Sequence, residues 1–237
     1  MSDHRRLRVL GFCGLSAFAA VLLAACAGGS SSQGTAAAGG SQPGRAGYTA
    51  QQLRGALLTS VDGARPAAAV QVGRYGSLRG VKDTQDSMRG LRIIPARCAR
   101  AARTGLDSAA LSAAPATVVS FRHGSGGVSE VLIAPRGALA VAALGSRIPR
   151  GCTHYSAVVG GRTYAYTVKE EPAPPLGRAA REIRVHASGA TTVDVWTVIY
   201  RTNGYVGAVT TVGPAGSRMD IESIARAAYD KAQRTLQ

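Results

Sequence analysis

The sequence lacks any recognisable catalytic motif. Neither the G-x-S-x-G spacing of a nucleophile elbow nor a phosphate-binding loop occurs in its 237 residues. Ser125 stands between glycines in HGSGGVSE, where a turn explains the glycines better than a nucleophile does. We therefore expect a protein that is not an enzyme and that uses no cofactor. A cell-wall hydrolase working through His154 or His186 is the alternative, although the spacing places neither beside a nucleophile.

Lysine and asparagine are also scarce, whereas arginine is abundant. The chain has three lysines, one asparagine (Asn203) and 25 arginines, a bias that is typical of a GC-rich genome such as an actinobacterial one. The formal net charge is +15. Such a charge favours anionic surfaces. If the amino-terminal segment described next directs export, these surfaces are lipid headgroups or wall polymers, so we expect no nucleic-acid partner. A generic solvated surface is the alternative explanation.

A long apolar run lies at the amino terminus. Three arginines within the first eight residues precede an uncharged stretch from Val9 to Ala25, and LAAC at 23–26 resembles the lipobox of bacterial lipoproteins. The resemblance implies that residues 1–25 are a lipoprotein signal peptide and that Cys26 receives a diacylglyceryl thioether. Acyl chains such as palmitate would then anchor the protein to the extracytoplasmic face of the cell membrane. An uncleaved transmembrane helix is the alternative, although the run is only marginally long enough for one.

Residues 26–47 are the lipidated cysteine and a flexible linker in this interpretation. Gly, Ser, Gln and Ala dominate the segment, and Arg45 is its single charged residue. Such a composition buries too little apolar area to offset the entropy of ordering the chain. Residues 48–237 are long enough for one domain with its own core, which the linker would hold away from the membrane.

Two cysteines remain for this domain. Cys13 lies in the predicted signal peptide and Cys26 is the predicted anchor, which leaves Cys98 and Cys152. In an oxidising compartment these two favour a disulfide. A metal site formed by both cysteines and His154 is the weaker alternative, because no further His or Cys lies nearby in the sequence. We therefore expect no metal.

The residue pattern predicts an α+β fold, with one mainly antiparallel sheet and helices packed on one face. Thr49 and Gln52 match a capping box at the start of a helix. An apolar stripe from Ile221 to Leu236 predicts a C-terminal helix that Ser217 can cap. Residues 62–93 contain many glycines and predict loops with one short strand. Further strands are predicted at 117–122, 128–133, 153–159, 162–169, 181–187, 191–201 and 205–212, and further helices after Pro95 and at 137–144.

Four aromatic residues form the candidate ligand surface. Tyr164 and Tyr166 share one face of a predicted strand, and Trp196 and Tyr200 share one face of another. If the two faces coincide, the rings line a cleft suited to a lipid, a sugar or a peptide. The alternative is that they fill the core between the sheet and the helices.

The order of these features resembles the extracellular sensor-type domain of actinobacterial receptor kinases of the PknH kind and their lipoprotein relatives. The segments IIPARCAR and RGCTHY look like that family's proline-then-cysteine helix and its second cysteine at a helix-to-strand junction. The resemblance covers residues 48–237 and implies a cleft-bearing, non-catalytic domain that binds or senses an unknown small molecule. An accessory lipoprotein that docks on another envelope protein or an anionic wall polymer is the alternative. In either role we expect a monomer.

Overall fold

The structure is a computed structural model that describes residues 47–236, apart from 104–105, 107–108, 137–143, 146 and 217–218. The predicted signal peptide, the lipidated Cys26 and nearly all of the linker lie outside the described residues. The same holds for most of the predicted helix at 137–144 and for Ser217. No helix in the described ranges is long and apolar enough to cross a membrane.

Nine strands form one antiparallel sheet in the described part of the chain, which confirms the predicted α+β fold. The strands are β1 (Gln71–Arg74), β2 (Arg92–Ile94), β3 (Pro115–His123), β4 (Gly126–Ile133), β5 (His154–Val159), β6 (Arg162–Glu171), β7 (Ala179–Ser188), β8 (Val193–Arg201) and β9 (Val206–Pro214). Their order across the sheet is β1-β3-β4-β9-β8-β7-β6-β5-β2. Most neighbours also follow each other in the sequence, so the sheet is built mainly from hairpins.

Among the described residues, two helices cover what we call the first face of the sheet. They are α1 (Ala50–Ala56) and the C-terminal helix, which we number α3 (Ile221–Thr235). The predicted capping box of α1 is confirmed, because Thr49 accepts from the Gln52 amide and Gln52 accepts from the Thr49 amide. Asp220 caps α3 by accepting from the Ser223 amide. The predicted apolar stripe of α3 packs on β3, β4, β8 and β9, and forms with them one buried core.

The second face carries α2 (Arg79–Arg89) and three short 3₁₀ helices, at Tyr75–Ser77, Ala96–Arg100 and Ala109–Leu111. Helices therefore lie on both faces of the sheet and not on one face as predicted. A disulfide joins Cys98, in the middle 3₁₀ helix, to Cys152, just before β5. The predicted pairing is therefore confirmed, and the alternative metal site with His154 does not form because both sulfurs are in the disulfide. The buried residues here include the disulfide, Tyr155, Tyr166 and Ile183.

The prediction of loops and one short strand across 62–93 is wrong, because α2 and two strands lie there. Gly80 stands in the first turn of α2 and Gly90 at its C-cap, so neither interrupts the interior of the helix. Val81, Thr84 and Met88 follow the helical spacing and lie on the side of α2 that faces the sheet. Glycines at the ends of a helix look in sequence like the glycines of a loop, which is why the element was missed.

Candidate ligand-binding cavity

The four aromatic residues predicted to line a cleft do not come together. Tyr166 pairs with Ala187 across β6 and β7, and Ala187 pairs with Val193 on β8, so these three side chains share the second face. Trp196 lies three residues after Val193 and therefore points to the first face, as Tyr200 does. The prediction of a single cleft fails because the register places the two aromatic pairs on opposite faces.

Most of these rings pack in the two cores instead. Tyr166 stacks on Tyr155, with ring centroids 5.1 Å apart, in the core of the second face. Tyr200 is fully buried in the first core and makes edge contacts with Tyr205 and Tyr229. Tyr164 and Trp196 are partly buried at the margins of these two cores.

A cavity of ≈ 230 Å³ opens between α2 and the second face of the sheet. Its lining residues come from α2, from the 3₁₀ helix before it, from the segment that follows the 3₁₀ helix Ala96–Arg100, and from seven strands. They are Gln71, Tyr75, Gly80, Val81, Thr84, Ser87, Met88, Ala102, Leu106, Val118, Ser120, Ser129, Val131, Tyr155, Ile183, Val185, Val195, Thr197, Ala208, Thr210 and Val212. None of these side chains is acidic or basic, in a protein whose formal net charge is +15.

The cavity exists because α2 does not pack tightly on the sheet. No residue of α2 is buried, although the helix is strongly amphipathic. Val118 of β3 and Val131 of β4, below the helix, are likewise only partly buried. The Gly80 amide donates to Oε1 of Gln71, at 3.2 Å, and so ties the start of α2 to the edge strand β1. The helix therefore forms a roof over apolar surface that it leaves incompletely covered.

The floor of the cavity has one polar feature, a row of hydroxyl groups that crosses four neighbouring strands. The row consists of residues paired directly across the strands: Ser120 with Ser129, Ser129 with Thr210, and Thr210 with Thr197. The Oγ1 atoms of Thr197 and Thr210 lie 3.1 Å apart and share a hydrogen bond. Ser120 and Ser129 are partly exposed in the same floor. A ligand in the cavity thus meets hydroxyl groups that can donate or accept hydrogen bonds.

The walls of the cavity stay uncharged over the physiological pH range. Tyr155 contributes a phenol to the walls, and burial and then the neighbouring Tyr166 raise its pKa well above the ordinary value. Burial and the neighbouring Tyr164 similarly raise the pKa of Tyr166 to about 12. The combination of apolar walls, neutral phenols and a hydroxyl row can hold a neutral molecule but has no counter-ion for a charged one.

The histidines do not form a catalytic arrangement in the described residues. Nδ1 of His186 lies 2.7 Å from Oδ1 of Asp194, which would orient a general base, and Nδ1 of His154 lies 3.1 Å from Oγ1 of Thr153. Within the described ranges, no hydrogen bond joins either histidine to a serine or a cysteine, and no three His, Cys, Asp or Glu side chains cluster as metal ligands.

Sequence reasoning missed the cavity and its hydroxyl row. The only local indication was the alternation of small or branched apolar residues with Ser and Thr on one side of several strands, such as Ser129 and Val131 or Val195 and Thr197. That pattern becomes a site only when the register aligns the four hydroxyl groups, and the register is not readable from one strand alone.

Comparison with known proteins supports the fold. No family model matches the chain, and no curated protein matches it. Among solved structures, the extracellular domain of PknH from Mycobacterium tuberculosis is similar, with a TM-score of 0.55 and 14% identity, over 81% of this chain and 100% of that one. An uncharacterised protein from Mycobacterium smegmatis, the Rv0999 ortholog, matches with a TM-score of 0.39 and 11% identity, over 62% of this chain and 75% of that one. The first similarity confirms the predicted PknH-like fold, and the second is too distant to add to it.

Proposed function

We propose that this protein is an exported lipoprotein, tethered to the membrane through Cys26, whose domain binds a small neutral ligand in the cavity beneath α2 without catalysing a reaction. The observation that carries the proposal is the uncharged lining of that cavity. A charged group placed there without a partner would lose several kcal/mol of hydration free energy. The ligand is therefore uncharged where it contacts the protein, with an apolar body and a hydrogen-bonding group for the hydroxyl row.

The size of the cavity restricts the ligand further. Typical pockets for drug-sized molecules have volumes of about 300–1,000 Å³, whereas this one measures ≈ 230 Å³. It suits a small molecule, or a single chain of a larger one that extends past the open margin of α2. A neutral lipid with one acyl or prenyl chain has the required chemistry, because an ester or alcohol group can reach the floor while the chain contacts the valines.

The proposed location is supported by three independent features. The lipobox-like LAAC sequence ends at Cys26, the domain contains the Cys98–Cys152 disulfide expected of an oxidising compartment, and the similar fold in PknH is an extracellular domain. A domain tethered outside the membrane would meet apolar molecules from the lipid layer or the wall.

Filling the cavity tests the binding function. Val195 lines the cavity, whereas Val193, two residues earlier on the same face of β8, does not. We expect organic extracts of the purified wild-type protein and of Val193→Phe to contain the same neutral compound by mass spectrometry. Extracts of Val195→Phe should contain at least tenfold less per mole of protein. Equal recovery from both variants, or a compound with a charged group as its sole bound species, would contradict the proposal.

Replacing Cys26 tests the anchor separately. Wild-type protein should incorporate labelled palmitate in cells and fractionate with membranes. Cys26→Ala should incorporate no label, and any processed form of it should not fractionate with membranes. The variant Cys13→Ala serves as a control, because Cys13 lies in the segment that we expect to be removed. Undiminished palmitate labelling of Cys26→Ala would show that the anchor is elsewhere.

A further inference from the structure

A second cavity lies on the first face of the sheet and shares no lining residue with the cavity beneath α2. It measures ≈ 580 Å³ and lies between β7, β8 and the N-terminal end of α3. Its lining residues are Glu182, Arg184, Asp194, Trp196, Gly216, Met219, Asp220, Ile221 and Glu222. Four of the nine are acidic, which is unusual in a chain with 28 basic and 13 acidic residues.

Glu182 is a buried acid, and one of its two carboxyl oxygens has no hydrogen-bond partner among the described residues. Its exposed fraction is 3%, and its Oε2 atom is buried with no hydrogen bond. Glu171 lies directly opposite on β6, and Glu222 lies on the first turn of α3. Burial, and then the charges of Glu222 and Glu171, raise the pKa of Glu182 to about 7. The described residues place no basic side chain within ion-pair distance of any of these three glutamates.

The other two acids of the cavity are already satisfied. Asp194 accepts hydrogen bonds from His186 at 2.7 Å and from the Gly216 amide at 3.2 Å, and it lies 3.6 Å from the Arg184 guanidinium. Asp220 accepts from the Ser223 amide at the start of α3. The uncompensated negative charge of the cavity is therefore concentrated at Glu182 and Glu222.

The remaining walls are aromatic and apolar, apart from Arg184, whose charge is paired with Asp194. The Trp196 ring, Met219 and Ile221 line the cavity, and the Arg184 guanidinium lies 4.4 Å from the centre of the Trp196 ring. The described residues contain no cluster of three side chains that could hold a metal ion, so the carboxylates are not arranged as metal ligands. Carboxylates beside an aromatic ring and apolar side chains instead match an organic cation, whose charge meets the acids while its stem packs on the ring.

We propose that this second cavity binds an alkylammonium group, with the ammonium between Glu182 and Glu222 and the carbon stem against Trp196 and Met219. The ammonium would supply the missing partner for Oε2 of Glu182, and a charge-assisted hydrogen bond to a buried acceptor is among the stronger polar contacts. The same chemistry occurs in free polyamines and in the lysine side chain of a peptide. The site is independent of the cavity beneath α2, and neither proposal depends on the other.

The protein carries its own reporter for this site, because Trp196 is the only tryptophan of the chain. We would titrate the purified protein at pH 8 with n-pentylamine and follow the tryptophan fluorescence. n-Pentanol, with the same stem and no charge, is the matched probe. We expect saturable binding of the amine and at least tenfold weaker binding of the alcohol. Equal responses to the two probes would overturn the proposal.

Variants assign the response to the carboxylates. Glu182→Gln should weaken amine binding at least tenfold, and Glu222→Gln, at an exposed position that leaves folding intact, should weaken it severalfold. Glu171→Gln is the control, because Glu171 lies beside Glu182 but outside the cavity lining, and it should change the affinity less than twofold. Unchanged affinity in Glu222→Gln would overturn the proposal even if Glu182→Gln failed to fold.

Two further probes distinguish the sources of the ammonium group. Spermidine represents free polyamines, and the peptide acetyl-Gly-Lys-Gly-amide represents a lysine on a partner. Tighter binding of spermidine than of pentylamine supports a polyamine, and tighter binding of the peptide supports a partner's lysine. Failure of all three amines to compete with one another for the Trp196 response would contradict a shared ammonium site.

Discussion

The backbone amide of Leu58 donates a 2.7 Å hydrogen bond to Oε2 of Glu130, a carboxyl group with no exposure to solvent. Its other oxygen, Oε1, is buried without a partner. Burial raises the pKa of Glu130 to about 7, although the Leu58 amide and the charge of Lys231 both act to lower it. Burial therefore favours the protonated form of this group in the folded protein.

The pH dependence of stability should reveal this carboxyl group. Because the pKa of Glu130 is higher in the folded protein than in the unfolded chain, folding binds a proton between about pH 4.5 and 7, and stability falls as the pH rises through that range. A difference of this size corresponds to about 3 kcal/mol. Glu130→Gln should keep an acceptor for the Leu58 amide. Between pH 5 and pH 8, its free energy of unfolding should fall by about 3 kcal/mol less than that of the wild type, as measured by urea denaturation.

The control for this prediction is Asp230→Asn, which likewise changes a carboxyl group to its amide, at an exposed position of α3. It should retain most of the wild-type pH dependence. A Glu130→Gln profile that parallels the wild type would show that Glu130 does not carry the effect.

The ion pair between Glu170 and Arg181 should contribute more to stability than the pair between Glu170 and Arg147. Nη2 of Arg181 lies 2.6 Å from Glu170 and its side chain is 8% exposed, whereas Nη1 of Arg147 lies 3.2 Å away on a side chain that is 82% exposed. Arg147→Ala should lower the free energy of unfolding by less than about 1 kcal/mol. Glu170→Ala should lower it by about 3 kcal/mol, because it leaves the buried guanidinium unpaired.

Chemical denaturation of the two variants measures the difference directly. Glu170 also has a depressed pKa, because the Ile148 amide and the two arginines outweigh the effect of burial, which acts to raise it. The stabilisation should therefore be lost as the pH falls below the ordinary range for glutamate. Equal effects of Arg147→Ala and Glu170→Ala would mean that the pair with the buried Arg181 contributes no more than the pair with the exposed Arg147.

Removing the disulfide should destabilise the domain substantially. Cys98 and Cys152 are separated by 54 residues. Closing a loop of that length lowers the entropy of the unfolded chain, which stabilises the folded state by about 4 kcal/mol at room temperature. The double variant Cys98→Ser with Cys152→Ser should lose stability of that order in a denaturant titration. Peptide mapping without reductant should recover the two cysteines in one linked pair. Free thiols at both positions in protein isolated from the envelope would contradict the assignment.

Substituting two glycines should have opposite effects on stability. A Cβ added to Gly207 would lie 2.2 Å from Cζ of Tyr200, which faces it across β8 and β9 in the first core. Gly207→Ala should therefore destabilise by about 2 kcal/mol through overpacking.

Gly55 lies inside α1, where an added Cβ would meet only Thr235 at 3.8 Å, so Gly55→Ala should stabilise by about 0.5–1 kcal/mol through helix propensity. Thermal melts of both variants decide the point, and a neutral Gly207→Ala would refute the close packing.

The candidate sites were much harder to read from the sequence than the fold class. The aromatic pairs Tyr164 with Tyr166 and Trp196 with Tyr200 were correctly placed on common strand faces, but the sequence did not say which face. The register decides that, and a shift by one residue turns every side chain of a strand to the other side. The sequence likewise did not show that Glu182 and Glu222 line the same cavity, because this depends on where α3 begins relative to β7.

Local features of the sequence determined those parts of the structure whose interactions span only a few residues. Thr49 and Gln52 cap each other within one turn, the stripe from Ile221 to Leu236 follows the helical period, and Cys98 and Cys152 are the pair left for the domain after the signal peptide and the anchor are set aside. The tertiary structure alone decided that β4 lies beside β9, that α2 forms a roof over a hydroxyl row, and that two glutamates share a cavity. These arrangements depend on contacts between segments far apart in the chain, and the burial of the whole apolar surface selects among them.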